Sequence, residues 1–167
     1  MKNSYVKSIA LGGILAALAM VVMCLGGLIP VATYVCPTLC VVLLHVVLTF
    51  CGKRIAWAWY CAVSFLSVLM SPDKEAPLIY LFVGFYPLLK PFFDKRILSW
   101  LWKILFFNTM ILLSYNILIL VLGMAQLGKS FSELGTIMMI IFAIMGNVIF
   151  IMLDIILTRI NIKTGRY

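Results

Sequence analysis

Apolar runs of about twenty residues alternate along this chain with short polar breaks. An α-helix rises 1.5 Å per residue, so about 20 apolar residues cross roughly 30 Å of hydrocarbon. Six runs meet or approach that length: 9–29, 33–51, 55–70, 77–93, 104–123 and 136–156. The pattern predicts an all-α, polytopic membrane protein, a bundle of six transmembrane helices in one domain. Pro30 ends the first run, and Gly52-Lys53-Arg54 separates the second from the third. Ser71-Pro72-Asp73-Lys74-Glu75-Ala76 is the most polar stretch and reads as a loop. Pro37 and Pro77 fall in first turns, where a missing N–H costs little. Pro87 lies deeper and removes one backbone hydrogen bond, which predicts a kink near Val83-Gly84 facing the bundle interior.

The breaks carry charge asymmetrically. Lys2, Lys7, Lys53, Arg54, Lys90, Lys95, Arg96, Lys103, Arg159, Lys163 and Arg166 fall on one side of the alternating map, and only Lys74 and Lys129 on the other. Basic residues in short loops mark the cytoplasmic face, so both termini are expected there. Trp57, Trp59, Trp100 and Trp102 fall at the inner starts of the third and fifth helices, where an interfacial belt is expected.

Composition agrees with the pattern. Hydrophobic residues make up 65% of the 167 and charged residues 11%, against roughly 45–50% and about 25% in soluble domains. A water-soluble fold of this size has too little interior to hide so much apolar side chain. The net charge of +8 sits in short clusters rather than a stripe, which points to lipid headgroups and not to nucleic acid. Five irregularly spaced cysteines (Cys24, Cys36, Cys40, Cys51 and Cys61) read as small apolar side chains rather than a disulfide framework. Lys2 and Lys7 precede the first run as in a signal peptide. That run is too long for a signal core and reads as a retained helix.

Few motifs suggest catalysis. Gly123 to Ser130 fits the phosphate-loop pattern G-x-x-x-x-G-K-[ST] letter for letter, but the pattern needs a preceding strand, and here two membrane runs flank it. Cys36 and Cys40 are four apart, not the C-x-x-C of thiol oxidoreductases. His45 has no second histidine with which to hold a metal. An enzyme is not expected, nor a cofactor. Polar residues inside the runs are more telling. Asn108 and Tyr115, with Asn116 beside them, and Asn147 and Asp154 share seven-residue spacings that keep each pair on one helix face. Such groups should point inward, as interhelical ties or as a cavity lining. Asp154 is within reach of Arg159 or Lys103. Gly12/Ala16 and Gly13/Ala17 form overlapping small-x-x-x-small pairs on the first helix, a groove that admits another helix.

The opening Ser8-Ile-Ala-Leu-Gly-Gly-Ile-Leu-Ala-Ala-Leu-Ala19, with this six-helix topology, resembles the substrate-binding S component of energy-coupling factor (ECF) transporters. Gly84-Phe-Tyr-Pro-Leu-Leu-Lys90 is similar to a hallmark segment of that family. The helix-1 pairs here begin with Gly where the family usually has Ala. The resemblance implies a subunit that binds a vitamin-like micronutrient near the outer surface. It then docks on a coupling transmembrane subunit driven by two cytoplasmic ATPases and topples in the bilayer. Carried onto this chain, the pocket would draw on Tyr34, Asp73, Lys74, Glu75, Tyr80, Asn116, Gln126 and Asn147. Gly12, Gly13, Ala16 and Ala17 would dock the coupling subunit. The rival expectation is a non-catalytic scaffolding subunit of a cell-envelope complex, which shares length, apolarity and topology but needs no ligand.

Overall fold

The computed structural model describes residues 2–26, 32–120 and 135–164. All of its regular structure is helical: α1 (Lys2–Gly26), α2 (Ala32–Cys51), α3 (Lys53–Met70), α4 (Glu75–Val83), α5 (Tyr86–Asp94), α6 (Ser99–Leu120) and α7 (Gly135–Thr164). Among the described residues five helical stretches are long and apolar enough to cross a membrane, with α4 and α5 together counting as one. That architecture suits a multi-pass membrane protein. α3 is not among the five: its 18 residues include Lys53, Arg54, Ser64 and Ser67.

α2 is the hub of the bundle and packs against α1, α3, α4, α5 and α7. The α4–α5 stretch is the most enclosed span, with 67% of its most apolar window buried against 11% for α6. Side chains on α6 and α7 such as Leu105, Leu112, Ile144 and Met152 face outward. In a bilayer that exposure costs nothing, because lipid tails are as apolar as leucine.

α1 is tied to its neighbours through its own carbonyls. Cys51 Sγ donates to Ser8 O at 3.2 Å, Trp59 Nε1 to Gly12 O at 2.9 Å, Cys40 Sγ to Ala19 O at 3.6 Å and Ser71 Oγ to Met23 O at 3.3 Å. The acceptors are spaced four, seven and four apart, hence on one face. Gly12 faces α3 at ordinary packing distance, since a Cβ there would lie 3.8 Å from Ile55 Cγ2. Trp59 is 5% exposed, so the interfacial expectation fails for this tryptophan. Its indole N–H serves α1 instead of the headgroup layer. Trp57, Trp100 and Trp102 are exposed.

The proline-rich span breaks where its sequence predicts. α4 ends at Val83, Gly84 and Phe85 form a turn, and α5 starts at Tyr86 with Pro87 in its first turn. Gly84 N donates to Tyr80 O at 2.7 Å, and a Cβ on Gly84 would fall 2.8 Å from the Tyr80 ring. The break leaves carbonyls of α4 short of in-helix donors. Tyr60 answers from α3 by donating its hydroxyl to Leu81 O. Around the bend the rings of Tyr60, Phe85, Phe106, Tyr86 and Phe150 pack in succession, with Tyr86 and Phe150 4.7 Å apart edge to face. Such aromatic pairs add roughly 0.5–1.5 kcal/mol beyond area burial.

These contacts sort the helix ends. The Cys51–Ser8 bond sets the start of α1 beside the end of α2, while Ser71–Met23 sets the end of α3 beside the end of α1. One end of the bundle gathers the start of α1, the α2–α3 junction, the α5–α6 connection and the end of α7. It holds Lys7, Lys53, Arg54, Lys90, Lys95, Arg96, Lys103 and Arg159, and is called the basic end below. The opposite end holds the start of α2, the α3–α4 loop and the end of α6.

Candidate functional site

At the opposite end, three elements converge on one carboxylate. The 71–76 loop turns into α4 because Asp73 Oδ1 accepts the N–H of Glu75 at 2.9 Å, satisfying one orphan donor of the first turn. Glu75 in that turn also complements the positive end of the helix dipole. Its Oε1 accepts the Tyr115 hydroxyl from α6 at 2.6 Å and the Tyr34 hydroxyl from α2 at 3.1 Å. The two hydroxyl oxygens lie 3.1 Å apart. Among the described residues Oε2 of Glu75 has no hydrogen-bond partner, and Tyr34 is exposed.

Lys74 is held away from this cluster. Its ammonium donates to Val68 O and Ser71 O, both at 2.9 Å. Those are carbonyls at the end of α3, where a cation is favoured. The local cation is therefore engaged at a helix end and forms no ion pair with Glu75 among the described residues.

The remaining residues expected at a pocket fall elsewhere. Tyr80 is fully buried below the cluster, 5.8 Å from the Tyr60 ring, and its hydroxyl has no hydrogen-bond partner among the described residues. Asn116 turns back to Leu112 O of its own helix on an exposed face. Asn147 pairs with Asn108: each amide donates to the other's carbonyl oxygen, at 3.1 and 3.0 Å. This closed pair ties α6 to α7. Gln126 and the Gly123–Ser130 motif lie outside the described residues. The structure thus brings Tyr34 and Glu75 together with Asp73 at the edge. It adds Tyr115, whose seven-residue relation to Asn108 marked it as inward-facing without revealing its partner.

The basic end has two features. Asp154 on α7 accepts from three side chains: Lys90 of α5, Lys103 of α6 at 3.0 Å and the Tyr86 hydroxyl at 2.5 Å. Lys103 also meets Asp94 at 2.5 Å. Lys103 is thus a partner that the sequence placed within reach of Asp154, whereas Arg159 is exposed and forms no ion pair among the described residues. The second feature is an open groove of ≈ 430 Å³ between α1 and α3, whose lining includes Gly12, Gly13, Ala16, Arg54 and Ala58. Gly12 is buried at its floor. Gly13 has no atom within 4 Å of where a Cβ would stand, and Ala17 is exposed.

The class these helices define is an all-helical protein with several spans suited to a membrane. Comparison with known proteins goes no further: no family, no curated protein and no solved structure matches this chain.

Proposed function

We propose that this chain crosses the cell membrane of a bacterium six times with its basic end in the cytoplasm. In this reading it is the substrate-binding subunit of a micronutrient uptake transporter of the ECF S-component kind. The orientation rests on the clustering of lysine and arginine at one end of the bundle. The carrying observation for binding is the Tyr34–Glu75–Tyr115 cluster. Two phenols from α2 and α6 hold a carboxylate that one oxygen leaves available, at the end that this orientation sets outside. Tyrosine faces suit a heterocycle, and a fixed carboxylate orients its polar edge. The ATP-driven step belongs to partners, a coupling membrane subunit and two ATPases, for which the Gly13–Ala17 edge of α1 supplies a smooth docking face.

Native mass spectrometry of protein purified from rich medium tests this reading. A retained small molecule is expected, and Tyr115→Phe or Glu75→Gln should lower its occupancy at least about tenfold, by loss of a charge-assisted hydrogen bond. Reproducibly empty wild-type protein that brings down cell-envelope proteins instead of ATPases would shift the assignment to the scaffolding subunit.

A further inference from the structure

The α1–α3 groove has a second chemistry besides its shape. Gly12, Gly13, Ala16 and Ala58 leave it open between the larger Ile9, Ile55 and Trp59 side chains, and the indole–carbonyl bond of Trp59 to Gly12 fixes its wall. Its ≈ 430 Å³ falls within the roughly 300–1,000 Å³ of small-ligand sites. The charge in this lining is Arg54, which is exposed, with exposed Lys53 beside it. No carboxylate among the described residues answers them. Asp94 and Asp154 are engaged by Lys103 and Lys90, and Asp73 and Glu75 stand at the far end.

An apolar slot with a guanidinium at its mouth matches an amphiphile with an anionic head. A free phosphate would leave the slot unused, and a zwitterionic lipid would bring its own cation to Arg54. The guanidinium fork pairs with phosphate oxygens through two parallel hydrogen bonds. Basic pockets between membrane helices on the cytoplasmic side hold anionic headgroups by the same physics. We infer that the α1–α3 groove is a binding site for one anionic phospholipid, its phosphate on Arg54 and an acyl chain along Gly12, Gly13 and Ala58. The inference needs the chain to be in a membrane and does not depend on the transport reading.

The test is lipid retention by the full chain in mixed micelles, read by native mass spectrometry. Phosphatidylglycerol is offered in one arm and phosphatidylcholine in the other. One phosphatidylglycerol should stay bound. Arg54→Gln should lower its occupancy about fivefold, the worth of one basic contact at a membrane surface. Gly13→Leu, placed where the space is open, should also empty the site by filling the slot, as should Ala58→Leu. Lys95→Gln removes an exposed charge elsewhere at the basic end and should leave occupancy unchanged. Equal retention of the two lipids would overturn the inference, as would a loss in Lys95→Gln equal to that in Arg54→Gln. Wild-type retention in both slot-filling variants would overturn it too.

Discussion

Lys90 and Asp154, 64 positions apart in the chain, form an ion pair inside the bundle, with the lysine side chain only 4% exposed. Lys103 and the Tyr86 hydroxyl complete the shell around that carboxylate. Two cations on one anion would be costly, and Asp94 balances the second. The cluster joins α5, α6 and α7, and adds charge to the polar tie that Asn108 and Asn147 make between α6 and α7.

Asp154→Asn should therefore destabilise the bundle by about 3 kcal/mol, because a buried ammonium loses its counter-charge. The double variant Lys90→Met/Asp154→Leu should recover most of that loss by removing both charges. Thermal unfolding in detergent measures the two effects. A single variant as stable as wild type would mean that the pair is not desolvated.

The Asn108–Asn147 pair makes a smaller claim. Interhelical hydrogen bonds in membrane bundles average about 0.6 kcal/mol, so Asn108→Leu should cost about that much. Adding Asn147→Leu should cost little more, because the same two bonds are already gone. Additive losses in the double-mutant cycle would show that the two amides act separately.

Gly84→Ala tests the bend. The new methyl would strike Tyr80 O and approach the Tyr80 ring at 2.8 Å, and both are packed in place. A loss of about 1–3 kcal/mol is expected from overpacking. In the Tyr80→Ala background the ring is absent, so Gly84→Ala should cost less. An unchanged melting temperature for Gly84→Ala alone would place the bend's tightness elsewhere.

Topology is checked by accessibility. In a cysteine-free background, Lys53→Cys should react with an impermeant thiol reagent only after the membrane is opened, and Lys74→Cys in intact cells. Reaction of both under one condition would put the two loops on the same side and remove the basis for the orientation.

Much of this fold was legible along the chain because each helix is a local affair. Run length marked the five spans that are long and apolar enough to cross a membrane but also the shorter, more polar α3, and Pro87 set the break between Val83 and Tyr86. Asn108, Tyr115, Asn147 and Asp154 were readable as inward-facing, since a seven-residue spacing keeps one face. Their partners were not readable. Which helix lies beside which is decided by packing between elements, so the meeting of Tyr115 with Glu75, or of Asp154 with Lys90, leaves no trace in spacing. Trp59 shows the opposite error. A tryptophan beside charged residues reads as interfacial, yet here its indole N–H is taken up by the Gly12 carbonyl of α1.

The seating of α7 has a consequence for how the chain is made. Its polar grips are Asn147 and Asp154, both on a helix that is synthesised after the α5 and α6 it holds. Until that helix arrives, Lys90 is without the carboxylate of Asp154. A product without α7 therefore leaves the Lys90 ammonium without Asp154 and uncovers the aromatic seam at Tyr86 and Phe107. Those are features by which membrane proteases could tell it from the finished molecule.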